Sequence, residues 1–149
     1  MRAVVQRVIH ASVRVDGSVV AVIGRGLVVL VGVSSGDTVA DVATLADKLV
    51  GLRVFADEAG RMSRSVLEAD GAVLVVSQFT LLGSVRRGRR PSFTQAAAPE
   101  VAGPLIDELA RRLRAAGVTV AEGAFGAHMD VELVNDGPVT ILIDSKRIS

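Results

Sequence analysis

The chain of 149 residues contains no cysteine, tryptophan or tyrosine, and its two histidines are His10 and His128. The absence of cysteine excludes a disulfide, a thiolate metal site and a cysteine nucleophile. Any histidine base or metal ligand must be one of the two named residues. Only four phenylalanines are present, which disfavours an aromatic platform for stacking single-stranded nucleic acid.

Strong net charge and long apolar runs are also lacking. The 17 basic and 16 acidic residues give a net charge of +1, so nucleic acid would have to bind a local patch. No apolar run approaches the length of a membrane helix, and no signal peptide opens the sequence, so we expect a cytoplasmic protein. The carboxylates show no spacing typical of a metal site, so we expect neither metal nor cofactor.

The length of the chain predicts one domain over residues 1–149, and half of its residues are apolar, which is enough for a sizeable core. Short strands joined by glycine turns fill the first third, and a strand is also predicted over 52–55. One helix is predicted to follow a cap at Asp37-Thr38, and Pro104 is predicted to start or kink a second. This order predicts an α+β fold: a curled, mostly antiparallel, barrel-like sheet with two main helices.

An apolar strand, Ala72 to Val76, runs directly into Ser77-Gln78-Phe79-Thr80. A strand end can present polar groups on a rigid element. The alternative is a sheet leaving the core, with its hydroxyl groups bonded to main chain. A Ser-His-Asp triad is disfavoured, because strand alternation places His128 on the face opposite its apolar neighbours.

Four arginines, Arg86, Arg87, Arg89 and Arg90, fall within five residues. One interpretation is a solvated loop, since runs of charge are often merely exposed. The other is phosphate contact, because guanidinium groups bind phosphate oxygens through paired donors.

A second unusual segment is Asn135-Asp136-Gly137-Pro138, between two predicted strands. Asn, Asp and Gly tolerate positive φ, so a hairpin turn is predicted. Proline fixes its own φ and removes a hydrogen-bond donor. Since only about one X-Pro bond in twenty is cis, local chemistry favours an ordinary trans turn.

Four segments together resemble the D-aminoacyl-tRNA deacylases over essentially the whole chain. They are Met1 to Val8 (MRAVVQRV), Ser77 to Thr80 (SQFT), Gly88 to Phe93 (GRRPSF) and Asn135 to Thr140 (NDGPVT). The resemblance implies a hydrolase acting on a carboxylic ester, which removes D-amino acids, and glycine mischarged on tRNA(Ala), from the tRNA 3′ end. It spares L-aminoacyl-tRNA and so acts in chiral proofreading during translation.

The resemblance also implies roles for individual residues. The enzymes of this family are homodimers in which a cis Gly-Pro pair from one subunit enters the pocket of the other, which makes Gly137 and Pro138 the chirality filter. Arg7 would brace the carbonyl groups of that pair, and the neighbouring residues Asn135, Val139 and Thr140 would support it.

The same resemblance implies that Ser77, Gln78, Phe79 and Thr80 form the catalytic pocket. Ser77 and Gln78 would shape the adenosine and ribose site, and main-chain N–H groups near Phe79 and Thr80 would stabilise an oxyanion. No base adjoins Thr80 in the sequence, so we expect it to position the substrate while the ribose 2′-OH assists the attacking water.

Two departures from the family pattern accompany these likenesses. Leu81 to Ser84 lacks a tyrosine that is usual there, and Ser63 replaces a common asparagine.

Two other functions stay open: a binding module for the tRNA end without turnover, and a general esterase with Ser77 or Thr80 as covalent nucleophile.

Overall fold

The computed structural model describes residues 1–147. Ile148 and Ser149 lie outside the described residues. No helix of the described part is long and apolar enough to cross a membrane. The elements, in chain order, are β1 (Arg2–Val15), β2 (Ser18–Ile23), β3 (Gly26–Gly32), α1 (Val39–Gly51), β4 (Phe55–Ala56), β5 (Met62–Arg64), β6 (Ala72–Ser77), a 3-10 turn (Phe79–Leu82), α2 (Pro99–Ala115), β7 (Thr119–Glu122) and β8 (Asp130–Asp144).

The main sheet has the order β2-β1-β3-β6-β7, and β8 also pairs with β1. The long strand β1 is antiparallel to β2, β3 and β8. By contrast, β6 is parallel to both β3 and β7. The sheet curls until β2 contacts β6 and β7. The predicted α+β, barrel-like fold is confirmed, with a parallel portion that the strand patterns alone did not reveal.

Apolar side chains form two clusters on opposite faces of the sheet. One packs α1 and α2 against the sheet and includes Leu45, Leu109 and Val29. The other includes Val28 and residues of β1, β2 and β6. Strand β3 is therefore buried on both faces, as its continuous apolar sequence predicts.

The start of α1 is also as predicted. Thr38 is its N-cap, and the Thr38 hydroxyl accepts a hydrogen bond of 3.3 Å from the Ala40 N–H. The Asp41 carboxylate accepts a 2.9 Å bond from the Thr38 N–H. This reciprocal capping box satisfies main-chain donors that the first helical turn leaves free.

Two local predictions are wrong, and so is one of the two alternatives for the second helix. That helix begins at Pro99, so Pro104 does not start it but lies inside it. The strand predicted over 52–55 is reduced to β4, which begins only at Phe55. The predicted hairpin at Asn135 is instead a bulge within the single strand β8.

The register of β8 explains this last difference. Strand β1 is long enough to pair with both halves of β8, through Gln6 with Thr140 and Val8 with Asn135. The chain therefore continues in one direction, and the segment Asp136–Val139 bulges out opposite Arg7. We call this segment the Gly-Pro loop.

Candidate active site

A cavity of about 880 Å³ opens at the carboxyl end of β6. Its walls come from the ends of β3 and β6, the 3-10 turn, the start of α2 and the loop between β7 and β8. All four residues of the predicted pocket segment, Ser77–Thr80, line it. The remaining lining residues are Val31, Val33, Val76, Phe93, Ala96, Ala97, Pro99, Ala102, Ile106, Phe125, Gly126, Ala127, His128, Met129 and Val131.

The main chain of the pocket segment leaves the sheet in a tight turn. The Gln78 N–H donates to the Val31 carbonyl oxygen at 2.7 Å, which extends the pairing of β6 with β3 by one bond. The next main-chain bond comes from the Leu81 N–H to the Gln78 carbonyl oxygen, at 3.2 Å. Within residues 1–147, the N–H groups of Phe79 and Thr80 therefore have no main-chain acceptor. Two neighbouring donors are left free at the cavity wall.

The side chains of Gln78 and Thr80 bond to each other. The Gln78 Nε2 donates to the Thr80 Oγ1 at 2.9 Å. Because the Thr80 hydroxyl accepts this bond, its own proton remains available to another acceptor. Thr80 is exposed, so that acceptor can be a substrate or a water molecule.

Three of the four phenylalanines line the cavity, a concentration that composition alone did not indicate. The rings of Phe79 and Phe93 meet edge to face, with centroids 5.1 Å apart. Phe125 packs against α2 at Gly103, where an added Cβ would lie 3.5 Å from the ring. The cavity therefore offers aromatic surface against which a planar ring can stack, although the chain has few aromatic residues.

His128 is the one ionisable residue among those that line the cavity. Its side chain is 96% exposed, and its Nε2 lies 3.9 Å from the Asp130 Oδ1. In the part of the chain that the structure describes, no hydrogen bond joins His128 to Ser77. The arrangement does not form a nucleophile-base pair. The strand alternation expected for His128 is wrong, however, because His128 precedes β8 and lines the same cavity as Met129 and Val131.

The Gly-Pro loop lies outside the lining of this cavity, and its Gly137-Pro138 bond is cis. The Asn135 side chain closes the loop: its Oδ1 accepts from the Val139 N–H at 2.7 Å, and its Nδ2 donates to the Val139 carbonyl oxygen at 3.0 Å. Just after the loop, the Thr140 Oγ1 accepts a hydrogen bond of 3.2 Å from the Gln6 Nε2.

Arg7 holds the loop from the other side. Its Nε donates to the Asp136 carbonyl oxygen at 2.9 Å, and its Nη1 donates to the Val54 carbonyl oxygen at 2.5 Å. The guanidinium therefore fixes the residue before Gly137, whereas the resemblance placed its contacts on the carbonyl groups of the Gly-Pro pair itself. Val139, at the end of the loop, is buried, so both ends of the loop are anchored.

Gly137 is the residue that this loop geometry requires. Its φ is +145°, a conformation that L side chains rarely adopt. An added Cβ would also lie 2.7 Å from the Val139 Cγ2 and 2.8 Å from the Val139 nitrogen. A side chain at this position would have to displace main chain.

The four clustered arginines lie in an exposed loop. Ser84 and Ser92 close its base through two main-chain hydrogen bonds of 2.8 Å, and Gly88 has a φ of +77°. None of the four forms an ion pair with a carboxylate of residues 1–147. Their charges are therefore free for an external anion. Nor do the described residues contain a cluster of three acidic or histidine side chains able to hold a metal ion.

The family model for D-Tyr-tRNA(Tyr) deacylase matches residues 4–144. The chain belongs to the D-Tyr-tRNA(Tyr) deacylase family. Two relatives named D-aminoacyl-tRNA deacylase are similar over almost the whole length. The protein of Symbiobacterium thermophilum is 62% identical over 99% of this chain and 97% of its own. The protein of Roseiflexus castenholzii is 59% identical over 97% of this chain and 92% of its own.

Solved structures agree with this family assignment. The c-Myc DNA unwinding element binding protein superposes with a TM-score of 0.91 at 42% identity, over 97% of this chain and 98% of that protein. A probable eukaryotic D-amino acid tRNA deacylase has a TM-score of 0.84 at 20% identity, over 95% of this chain and 97% of that chain, and shows the shared fold. The family model and the two relatives confirm the predicted family.

The two departures from the deacylase pattern lie in different environments. The Ser63 Oγ donates to the Asp57 Oδ2 at 2.7 Å, outside the cavity, and this bond is the first cause of the lowered pKa of Asp57. In the other segment, Leu82 is buried and the Leu81 carbonyl oxygen accepts from Arg2. The serine therefore stabilises the β4–β5 turn, and Leu82 anchors the turn that forms the cavity wall.

Proposed function

We propose that this deacylase hydrolyses the ester between a D-amino acid, or glycine on tRNA(Ala), and the tRNA 3′ end, and that it rejects L-aminoacyl-tRNA. The observation that carries the site is the cavity: it is lined by Ser77–Thr80, two N–H groups beside it are free, and the only ionisable lining residue is an exposed histidine. In this proposal residues 1–149 act as one domain in cytoplasmic proofreading.

The attacking group is a water molecule, and the substrate assists it. Water adds to the ester carbonyl carbon, the bond to the ribose 3′ oxygen breaks, and that oxygen takes up a proton. In this proposal the ribose 2′-OH orients the water, since the one ionisable lining residue, His128, is 96% exposed and no hydrogen bond of the described residues fixes its ring. The N–H groups of Phe79 and Thr80 stabilise the oxyanion, and the Thr80 hydroxyl, held by Gln78, orients the reacting groups.

The terminal adenosine occupies the aromatic part of the cavity. Phe125 offers a ring face for the base, since such stacking does not depend on base identity. Ser77 and Gln78 border the ribose. This arrangement leaves the ester beside the 3-10 turn, where the free N–H groups lie.

Gly137 and Pro138 form the chirality filter. An L side chain would be driven into fixed main chain, whereas a D side chain points away and glycine has none, so one clash excludes every L residue. The filter must be rigid to act in this way. The hydrogen bonds that join Asn135 to Val139 and Arg7 to Asp136, with the pairing of Thr140 and Gln6, supply that rigidity.

The filter acts in the cavity of a second copy of the chain. Gly137 and Pro138 are exposed and lie outside the lining of their own chain's cavity. The same strand, β8, also exposes Val134 and Leu142, the latter by 69%. An exposed apolar strand favours association with another copy. Arg86, Arg87, Arg89 and Arg90 would then contact phosphates of the tRNA.

The activity is tested by incubating the protein with D-tyrosyl-tRNA, L-tyrosyl-tRNA and glycyl-tRNA(Ala). We expect release of D-tyrosine and glycine and retention of L-tyrosine. Tight tRNA binding without release would indicate a binding module. Equal release of both enantiomers would indicate a general esterase without a filter. Competition by duplex DNA is included, because one similar structure is named for DNA binding.

The exchange of filters is tested with two defective chains. Ala127→Trp fills the cavity, and Pro138→Ala alters the filter and should admit L-tyrosyl-tRNA. Excess Ala127→Trp chain is mixed with the Pro138→Ala chain and allowed to exchange subunits. If the filter acts across subunits, L-tyrosine release falls while D-tyrosine release persists. Unchanged L-tyrosine release would show that each chain filters its own cavity.

A further inference from the structure

Three residues from neighbouring strands form a row beneath the 3-10 turn that carries Phe79 and Thr80. Arg2 of β1 pairs with Gly32 of β3 on one side and with Asp144 of β8 on the other. This row lies at the ends of the strands, away from the Gly-Pro loop along β8. None of the three residues lines the cavity.

Gly32 lets the turn approach the sheet. An added Cβ would lie 2.5 Å from the Leu82 Cδ2, 2.9 Å from the Gln78 carbonyl oxygen and 3.1 Å from the Leu81 Cβ. The contact with the Gln78 carbonyl is the decisive one, because main chain cannot rotate away as a side chain can. Any larger residue at position 32 would lift the turn and, with it, the free N–H groups of the site.

Arg2 holds the far end of the same turn. Its Nη1 donates to the Leu81 carbonyl oxygen at 3.2 Å, and its Nε lies 3.4 Å from the Asp144 Oδ2. The last carbonyl groups of a short helix lack donor partners within it. The guanidinium supplies that partner, and Asp144 orients the guanidinium, so that the turn is fixed from below at Gly32 and at its end by Arg2.

We propose that Arg2 and Gly32 are positioning residues for hydrolysis: they set the height and orientation of the turn that presents the Phe79 and Thr80 N–H groups. The inference rests on the proposed site. Neither residue touches the substrate. Their contribution should therefore appear in the chemical step, since a displacement of about 1 Å in a catalytic group can cost about 100-fold in rate.

The first test is Arg2→Met, which keeps the aliphatic stem and removes the hydrogen bond to Leu81. We expect kcat for D-tyrosyl-tRNA to fall roughly 10- to 100-fold with little change in KM, and the Thr80 amide resonance to shift. Arg2→Lys keeps a positively charged donor nitrogen, so it should recover part of the lost kcat. Arg14→Met is the matched control, since Arg14 lies on the same strand and pairs only loosely, at 3.9 Å, with Glu132.

The second test is Gly32→Ala, with Gly24→Ala as control because nothing lies within 4 Å of an added Cβ at Gly24. We expect kcat to fall in Gly32→Ala and to stay unchanged in Gly24→Ala. If Gly32→Ala does not fold, the result for Arg2→Met alone tests the inference. An unchanged kcat in Arg2→Met, or an equal loss in Arg14→Met, overturns the inference while the wild-type chain remains active. An inactive wild-type chain would instead overturn the proposed function.

Discussion

The Arg7 side chain lies opposite the Gly-Pro loop and donates through Nε to the Asp136 carbonyl oxygen at 2.9 Å. Its Nη1 reaches a different part of the chain, the Val54 carbonyl oxygen. One planar group therefore joins the loop of β8 to the segment before β4. A guanidinium can do this because its donors are held in a fixed fork.

Replacement of Arg7 by lysine should weaken the proposed chirality filter. A lysine ammonium keeps the charge but is a point donor on a flexible stem, so it cannot hold both carbonyl groups in the same geometry. We expect the ratio of D- to L-tyrosyl-tRNA hydrolysis to fall about tenfold or more, on the scale of one lost charged hydrogen bond. Single-turnover rates on both substrates measure it. Arg14→Lys is the control, and an unchanged ratio in Arg7→Lys would remove Arg7 from the filter.

The sequence predicted those features that depend on local pattern. The continuous apolar run of β3 indicates a strand buried on both faces, and Thr38, one of the two residues of the predicted cap Asp37-Thr38, is the N-cap of α1. These features follow from side-chain types at fixed spacing. The change in polarity at Ser77 showed only that a strand end could present polar groups. The family resemblance implied the pocket, and Ser77–Thr80 line the cavity.

Features set by distant partners could not be predicted in this way. The Asn135 segment reads locally as a hairpin, but the length of β1 decides that β8 continues. Phe93, in the segment before α2, and Phe125, in the β7–β8 loop, line one cavity although they lie far apart in the sequence. The need for glycine at position 32 comes from the 3-10 turn, which is far away in the sequence.

Thr80 is not expected to be a covalent nucleophile. Thr80→Val removes the hydroxyl and keeps the shape, so we expect kcat to fall less than about 100-fold, as for loss of an orienting group. Removal of a true nucleophile costs about a millionfold in a serine hydrolase. Rapid-quench measurement of D-tyrosine release distinguishes these cases. An acyl-enzyme trapped on the wild-type chain would contradict substrate-assisted hydrolysis.

The arginine loop should contribute salt-dependent affinity without selecting the enantiomer. Replacement of Arg86, Arg87, Arg89 and Arg90 by alanine should lower the slope of log Kd against log salt by up to about 3.6, at about 0.7 to 0.9 for each of the four contacts. Binding of uncharged tRNA across a salt series measures this slope. A control with the same charge change replaces Arg14, Arg25, Arg61 and Arg111. An equal fall of the slope in both variants would show that the loop contributes only through the net charge of the protein and not through specific phosphate contacts.

Asp41 should make stability depend on pH in acid. It is buried and accepts hydrogen bonds from the Ser145 Oγ at 2.8 Å and the Lys146 Nζ at 3.0 Å. Burial raises its pKa, but the Thr38 N–H, Ser145, Lys146 and the N-terminal ammonium together lower it from 3.8 to about 2. The ionised form is therefore favoured in the folded state. The resulting stability is fully present above pH 4 and is lost as the pH falls from there toward 2.

Asp41→Asn removes this ionisation, so the variant should be less stable at pH 7 and should lose stability less steeply between pH 4 and 2. Urea unfolding midpoints at pH 7, 4, 3 and 2.5 measure both effects. Asp47→Asn is the matched control, because Asp47 is an exposed residue of the same helix. The expected result is a flatter acid profile for Asp41→Asn only. Parallel profiles for the wild type and Asp41→Asn would show that the acid sensitivity arises at other carboxylates.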